Sequence, residues 1–272
     1  GVPVFVDVRP DTLNIDETLI EDAITPKTKA IVPVHYAGVG CEMDSILEIA
    51  QRHSLMVIED TAQGILASYK GRKLGSMGIM GALSFHATKN ITSGEGGALL
   101  VNNPALVERA EIIREKGTNR KQFIKGQIDK YTWTDKGSSF LPGEIIAAFL
   151  MGQFEEAELI INKRIDLWQQ YHEAFNAIEK VSKVRRPIIP KHCNHNAHIY
   201  YLLLSSMKER DLFIKHMKEK RIQCATHYVP LHNSPAGKKY CRTHGDLNVT
   251  DEVSKSLVRM PLYIDLNIDL VI

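Results

Sequence analysis

The sequence predicts an α/β protein with a mixed or mainly parallel sheet, covered by crossover helices and followed by a smaller α+β region. Short β-branched segments alternate with helical patterns of about ten residues in the first half of the chain, which is typical of parallel sheets. After Arg185–Pro190 the pattern changes to a strand, a helix and an extended segment. We therefore predict a large domain at residues 1–164 and a small domain at residues 165–272.

The elements of the large domain follow from apolar periodicity and from capping residues. Asp16, Asp44 and Asn103 each precede a helical pattern and can accept hydrogen bonds from its first N–H groups. The predicted strands are Val4–Val8, Ala30–Val34, Leu55–Ile58, Ala82–Ala87 and Gly97–Asn102. The predicted helices are Glu17–Ile24, Asp44–His53 and the segment from Asn103 to Lys116.

The rest of the chain predicts a long loop, long helices and the small domain. Residues 117–143 are polar, aromatic and interrupted by glycine, which indicates a functional loop. Glu144–Phe175 reads as two long helices or one broken helix. In the small domain, Ile199–Leu204 predicts a strand, Asp211–Lys220 a helix and Cys224–Val229 an extended segment.

Composition excludes several classes of protein. The net charge of +2 provides no concentrated basic face, so we expect no nucleic-acid partner. No apolar run approaches the roughly 18 residues needed to cross a bilayer, so we expect no membrane association. The four cysteines show no CxxC spacing, which favours a reduced, cytoplasmic compartment.

Two strand ends carry side chains of complementary chemistry. Asp60 follows Leu55–Ile58 directly, and Lys89 follows the strand at Ala82–Ala87, before a glycine-rich reversal. Alone, the acid could cap the next turn, and a lone lysine is usually solvent-exposed. Together they match what a pyridoxal-phosphate (PLP) enzyme needs, because a lysine forms the Schiff base and an acid keeps the pyridine nitrogen protonated.

Longer motifs make the resemblance specific. The segments VIEDTAQ, GSMGIMGALSFHATKNITSGEGG and NAHIYYLLL resemble the sugar aminotransferases of the DegT/DnrJ/EryC1/StrS family, over essentially the whole chain. The resemblance implies the PLP-dependent transferase fold type I, like that of aspartate aminotransferase, with pyridoxal 5′-phosphate as cofactor. It also implies that about a hundred residues and a closing helix are missing from the two ends, so that the large domain is incomplete and this chain alone binds PLP poorly.

The resemblance also assigns roles to individual residues. Lys89 matches the Schiff-base lysine and is the expected catalytic residue. Asp60 matches the acid at the pyridine nitrogen, and Gln63 the residue near the phenolic oxygen of the ring. Ser84 matches a phosphate-binding hydroxyl. Ser139 occupies the place where many relatives have an asparagine that reaches the phosphate of the partner subunit.

Substrate contacts are predicted with alternatives left open. His86 stands two residues after Ser84, so strand alternation puts both on one face. It could contact substrate or pack in the core. Arg120, Tyr131 and Trp133 lie in the long loop and could contact sugar or nucleotide, or form an ordinary subunit interface.

The loop sequence IIREKGTNRKQFIKGQIDKYTWTDKGSSFLP resembles the branch that transaminates TDP-4-keto-6-deoxy-D-glucose in enterobacterial common antigen synthesis. It implies a nucleotide-linked keto sugar as acceptor, L-glutamate as donor and a 4-amino-4,6-dideoxy sugar, such as dTDP-4-amino-4,6-dideoxygalactose, as product. We also expect a homodimer. The alternatives are a different nucleotide keto sugar, a non-catalytic remnant of the fold, and a regulatory relative that uses PLP as a sensor.

Two other motifs invite different functions. His192, Cys193, His195 and His198 could form a metal site, although no carboxylate is interleaved among them, and we expect no metal. Gly38-Val39-Gly40 is too short for a dinucleotide-binding loop, which disfavours a dehydrogenase.

Overall fold

The computed structural model describes residues 1–181 and 184–272. In these ranges the strands are β1 (Val4–Phe5), β2 (Ala30–Ile31), β3 (Met56–Asp60), β4 (Ser68–Tyr69), β5 (Arg72–Lys73), β6 (Met80–Ser84), β7 (Gly97–Val101), β8 (Cys193–Asn194), β9 (Tyr200–Leu203), β10 (Ala225–Thr226), β11 (Arg242–Thr243) and β12 (Leu257–Met260). The helices are α1 (Met43–Arg52), α2 (Val107–Arg114), α3 (Arg120–Ile124), α4 (Glu144–Glu155), α5 (Ala157–Val181), α6 (Met207–Glu219), α7 (Pro235–Tyr240) and α8 (Asn248–Ser256).

A four-stranded sheet, in the order β2-β3-β6-β7, forms the centre of the first part of the chain. Strands β2, β3 and β6 are parallel, whereas β7 is antiparallel to β6. Asp60 on β3 lies opposite Ala82 on β6, so the carboxyl ends of these two strands are neighbours. Helix α1 buries Met43 and Ile46 against Val57 of β3. The predicted α/β class with a mixed sheet is confirmed.

A second, antiparallel sheet, in the order β10-β12-β9, forms the centre of the last part of the chain. Its buried face packs on Trp168, Tyr171 and Phe175 of α5, with Tyr200 completing the aromatic cluster. The Tyr171 hydroxyl donates to the carbonyl of Pro261 at 2.9 Å, which satisfies the polar end of a ring that is fully buried.

Several contacts tie the two parts together. Helix α5 runs without a break through the predicted domain boundary at residues 164 and 165. Strand β8 pairs with β4, and β1 pairs with β11. The Asp7 carboxylate accepts the backbone N–H groups of Val249 and Thr250 in the first turn of α8, at 2.8 and 2.9 Å. Burial alone would raise the pKa of Asp7, but these hydrogen bonds hold the pKa below its ordinary value.

Three local predictions are wrong, each for a physical reason. The core strand predicted at Val4–Val8 is only the two-residue β1, with Val4 exposed, because the chain turns so that Asp7 can cap α8. Glu17–Ile24 forms two short 3-10 turns rather than one helix, and Pro26, which disfavours helical backbone at Thr25, prevents a longer helix from continuing past this segment.

The third wrong prediction concerns the cap of α1. Asp44 lies inside the helix, and its carboxylate binds Lys70 Nζ at 2.7 Å and the guanidinium of Arg72. By contrast, the capping roles of Asp16 and Asn103 are confirmed, because each side chain accepts a backbone N–H two residues later at 3.0 Å.

Candidate active site

Lys89 lies in the loop that joins β6 to β7. Backbone bonds extend the ladder beyond β6: Phe85 N–H donates to Gly96 O and Ala87 N–H donates to Gly94 O, both at 2.8 Å. Gly94 and Gly96 adopt φ values of 81° and 136°, which side chains other than glycine rarely tolerate. The sequence thus folds into a tight reversal that carries Lys89 at the end of the central sheet.

Asp60 and Lys89 interact electrostatically across the ends of β3 and β6. Burial lowers the pKa of Lys89, while the Asp60 carboxylate acts in the opposite direction, and the net shift is downward. Asp60 is half-buried, and its Oδ1 accepts the backbone N–H of Ala62 at 3.0 Å. A partly desolvated amine within electrostatic reach of a carboxylate is the arrangement expected of a reactive lysine.

Gln63 follows Asp60 by three residues, and Ser84 and His86 precede Lys89 in the same segment. Gln63 Oε1 accepts the backbone N–H of Ala37 at 2.7 Å, which anchors the turn after β2. Ser84 is the last residue of β6 and lies two residues after Ala82, which pairs with Asp60. Ser84 is therefore on the same face of the sheet as Asp60. The His86 ring is exposed and contacts Thr88 Oγ1 at 2.9 Å.

A buried pair, Glu59 and His35, supports the strand that carries Asp60. His35 Nδ1 accepts the backbone N–H of Cys41 at 3.1 Å, so its Nε2 carries the proton and donates to Glu59 Oε2 at 3.0 Å. Both side chains are fully buried. Glu59 also accepts three backbone N–H groups of the turn before β6, from Gly75, Met77 and Gly78.

A polar network behind Lys89 was not foreseen from the sequence. Asn90 Nδ2 donates to the carbonyl of Asn196 at 2.7 Å, and Asn90 Oδ1 accepts from His198 Nδ1 at 3.0 Å. Asn196 Nδ2 in turn donates to the carbonyls of Gln63 and Ile65. The motif NAHIYYLLL contains Asn196 and His198, but the sequence indicated His198 only as a candidate metal ligand.

The long-loop residues are not brought to this site within one chain. Ser139 pairs with Glu115, Arg120 lies 3.8 Å from the Glu115 carboxylate, and Tyr131 packs on Phe123. Trp133 is 76% exposed, and its Nε1–H donates to the carbonyl of Asp135. In the described part of the chain, no hydrogen bond or ion pair joins these residues to Asp60 or Lys89.

The histidines of the alternative metal motif have separate partners. His192 Nε2 contacts Glu42 Oε1 at 2.9 Å, His195 packs against Trp168, and His198 binds Asn90. Among residues 1–181 and 184–272, no three His, Cys, Asp or Glu side chains are grouped so that they could hold a metal ion.

Two further predictions concern the Gly38-Val39-Gly40 segment and membrane-spanning helices. Gly38 lies in a short 3-10 turn with φ 80°, where an added Cβ would collide with the Asn196 side chain. No helix in the described ranges combines the length and apolar character needed to cross a bilayer.

The side chains at this edge of the sheet fit a PLP cofactor. A lysine amine with a lowered pKa can form the covalent link, and a carboxylate on the neighbouring strand can pair with a protonated ring nitrogen. Gln63 and Ser84 supply neutral hydrogen-bonding groups nearby. The fold and these groups define a PLP-dependent aminotransferase.

The chain belongs to the DegT/DnrJ/EryC1/StrS aminotransferase family, whose sequence pattern matches residues 1–271. It is 37% identical over 268 residues to MJ1066 of Methanocaldococcus jannaschii, covering 96% of this chain and 69% of that protein. It is 31% identical over 271 residues to the spore coat polysaccharide biosynthesis protein SpsC of Bacillus subtilis, covering 97% of this chain and 69% of that protein. The structure of S. venezuelae DesV matches with a TM-score of 0.86 and 29% identity, covering 98% of this chain and 69% of that one.

Proposed function

We propose that this protein transfers an amino group from an amino acid to the keto carbon of a nucleotide-linked sugar. The observation that carries the proposal is the Asp60 and Lys89 pair at the ends of two parallel strands, in a chain that belongs to a sugar aminotransferase family. Bound PLP supplies an electron sink that stabilises the carbanion formed at the reacting carbon. The chain's own residues hold the cofactor and move the proton.

Each residue has a separate role in this proposal. Lys89 Nζ links the cofactor covalently and then, once released, moves a proton to and from the reacting carbon; its lowered pKa favours the neutral form that can accept it. The Asp60 carboxylate keeps the ring nitrogen protonated by a charge-assisted hydrogen bond. Gln63 hydrogen-bonds the phenolic oxygen, Ser84 the phosphate, and His86 faces the substrate side.

The proposed acceptor is a TDP-4-keto-6-deoxyhexose, and the proposed donor is L-glutamate. The loop at residues 117–143 supports the choice of sugar through its resemblance to the branch that uses this substrate. The product would be the 4-amino-4,6-dideoxy sugar, used in surface polysaccharide synthesis. The name of SpsC, which refers to polysaccharide biosynthesis, is compatible with such a role.

We also propose a homodimer whose second copy completes each site. Helix α4 buries none of its residues within the chain, although it carries Ile145, Phe149 and Met151, which are 85%, 57% and 59% exposed. Such an apolar face adjoining the exposed loop fits a second copy of the chain. Ser139, Arg120, Tyr131 and Trp133 would then reach the site of the neighbouring subunit.

The test is a comparison of Lys89→Ala with Lys208→Ala, an exposed lysine of α6. Lys89→Ala should abolish transamination between L-glutamate and TDP-4-keto-6-deoxyglucose, whereas the control variant should retain it. Borohydride reduction of the PLP-treated wild type should label a peptide that contains Lys89. Labelling of another lysine, or normal turnover by Lys89→Ala, would contradict the assignment, and the absence of any labelling would favour a non-catalytic relative.

A further inference from the structure

Three polar atoms without partners lie where the last sheet meets the turn after β2. They are Tyr36 Oη, His227 Nδ1 and Arg259 Nε, and each is buried and forms no hydrogen bond within the described residues. Buried polar atoms in proteins are nearly always hydrogen-bonded, so a group of unpaired ones requires an explanation. A ligand that supplies the missing acceptor is one such explanation.

The three side chains come from separate elements and converge. Arg259 on β12 lies opposite Tyr201 on β9 and opposite Ala225 on β10. The Tyr201 ring lies 6.3 Å from the Tyr36 ring, and the His227 ring meets Tyr36 edge-on at 5.3 Å. Thus the sheet presents Arg259 and His227 on the side that faces Tyr36.

The cluster has the charge and donors to bind a small anion. No carboxylate forms an ion pair with Arg259 in the described part of the chain, and its guanidinium lies 5.9 Å from the centre of the Tyr228 ring. A partly buried guanidinium without a counter-charge is costly, and its Nε edge is suited to a two-point bond with a carboxylate. Burial and the neighbouring Arg259 lower the pKa of His227 to about 4, so this ring is neutral and can donate from Nδ1.

The cluster adjoins the candidate active site. Tyr36 follows His35, whose backbone N–H donates to the carbonyl of Asp60 at 3.0 Å. The next residue, Ala37, is bound by Gln63. On the other side, burial lowers the pKa of His198, and the charges of Lys89 and Arg259 act in the same direction. The turn at Tyr36 and Ala37 thus connects the cluster to the segment that carries Asp60 and Gln63.

We propose that Arg259, Tyr36 and His227 bind a carboxylate of the amino donor and so orient the donor amine toward Lys89. This inference rests on the proposed transaminase function and names the donor subsite within it. One guanidinium with two neutral donors matches a carboxylate of charge −1. A nucleotide diphosphate carries more charge and would require additional cations.

The test measures the two half-reactions of the PLP-loaded protein separately. The donor half-reaction is followed by the cofactor absorbance as L-glutamate is varied, and glutarate, which has carboxylates but no amine, is titrated by calorimetry. Arg259→Met should weaken both affinities by at least about 100-fold, as expected when two charge-assisted hydrogen bonds are lost. The half-reaction with the nucleotide keto sugar should keep its apparent affinity.

Tyr36→Phe is the second variant, because it removes an oxygen that makes no hydrogen bond in the described chain. It should fold with unchanged stability and weaken L-glutamate and glutarate binding about tenfold. Arg221→Met, an exposed arginine of the same part of the chain, is the matched control and should change neither affinity.

The outcomes separate this inference from the proposed function. Unchanged donor and glutarate affinities in folded Tyr36→Phe and Arg259→Met would overturn the inference, as would a loss confined to the nucleotide sugar, which would make the cluster a phosphate site. If wild type reacts with L-glutamate but with no nucleotide keto sugar, the proposed acceptor is wrong, and the donor measurements still decide the inference.

Discussion

Glu59→Gln should destabilise the protein strongly, although it changes a single atom type. Glu59 Oε1 accepts the N–H groups of Met77 at 2.7 Å and Gly78 at 2.6 Å, whereas Oε2 accepts from Gly75 at 2.8 Å and His35 at 3.0 Å. Whichever way the glutamine amide is oriented, its NH₂ group faces two N–H donors and can accept from neither.

The expected loss follows from this count of bonds. Two hydrogen bonds to a charged acceptor disappear, each worth about 1.5–3 kcal/mol, so the free energy of unfolding should fall by about 3–6 kcal/mol. Glu59 is fully buried, so water cannot replace the lost partners. Because domains are stable by only about 5–15 kcal/mol, the variant should be close to unfolding at room temperature.

The assay is urea unfolding followed by circular dichroism, with Glu48→Gln as control. Glu48 is exposed and pairs with Arg52 one helical turn away, at 2.8 Å, so the control should lose less than about 0.5 kcal/mol. A loss below about 1 kcal/mol in Glu59→Gln, with an unchanged slope against urea, would refute the reasoning.

The pH dependence gives a second check. Burial acts to raise the pKa of Glu59, but the hydrogen bonds from His35 and the backbone N–H groups prevail, and the folded-state pKa is lowered. The stability that this carboxylate contributes is therefore present above its ordinary value of 4.5 and is lost as the pH falls through the folded-state pKa. The difference between wild type and Glu59→Gln should shrink as the pH is lowered below 4.5.

Three other predictions concern Asp60, the Asn90 network and helix α4. Asp60→Asn should lower kcat by more than about 100-fold without loss of stability, because a neutral amide cannot keep the ring nitrogen protonated; a fall of less than tenfold would make Asp60 structural. Asn90→Ala should cost about 2–3 kcal/mol of stability, measured by urea unfolding, because His198 Nδ1 and the Asn196 carbonyl lose their partner. Ile145→Asp combined with Phe149→Asp should reduce the particle mass by half in light scattering, and an unchanged mass would show that α4 does not form the dimer interface.

The sequence alone predicted the central sheet because its signals are local. The apolar segments before Asp60 and Ser84 were short and bounded by polar residues, so both strands were recognised to within a few residues. The cap at Asn103 could also be predicted, because a capping residue followed by proline acts within one helical turn.

The features that the sequence did not predict depend on contacts between residues far apart in the chain. Val4 was expected in the core because its own segment is apolar, but its partner is Arg242, which no local pattern indicates. Asn90 and His198 are 108 residues apart, and neither has a neighbour in sequence that suggests the bond between them. The sequence does not indicate a role for Tyr36 for the same reason, since its neighbours come from β9 and from the segment after β10.

The bonds between Asn90 and residues 196 and 198 also bear on how the site forms during folding. The lysine loop is held by a segment 106 residues further along the chain, and Ser68 is held by Asn194, 126 residues away. Contacts between residues so far apart in sequence cost loop-closure entropy before they contribute stability. We therefore expect them to form late and to slow folding. On the ribosome, Lys89 would acquire its final position only after residues near 198 had emerged, long after the strand that carries it was complete.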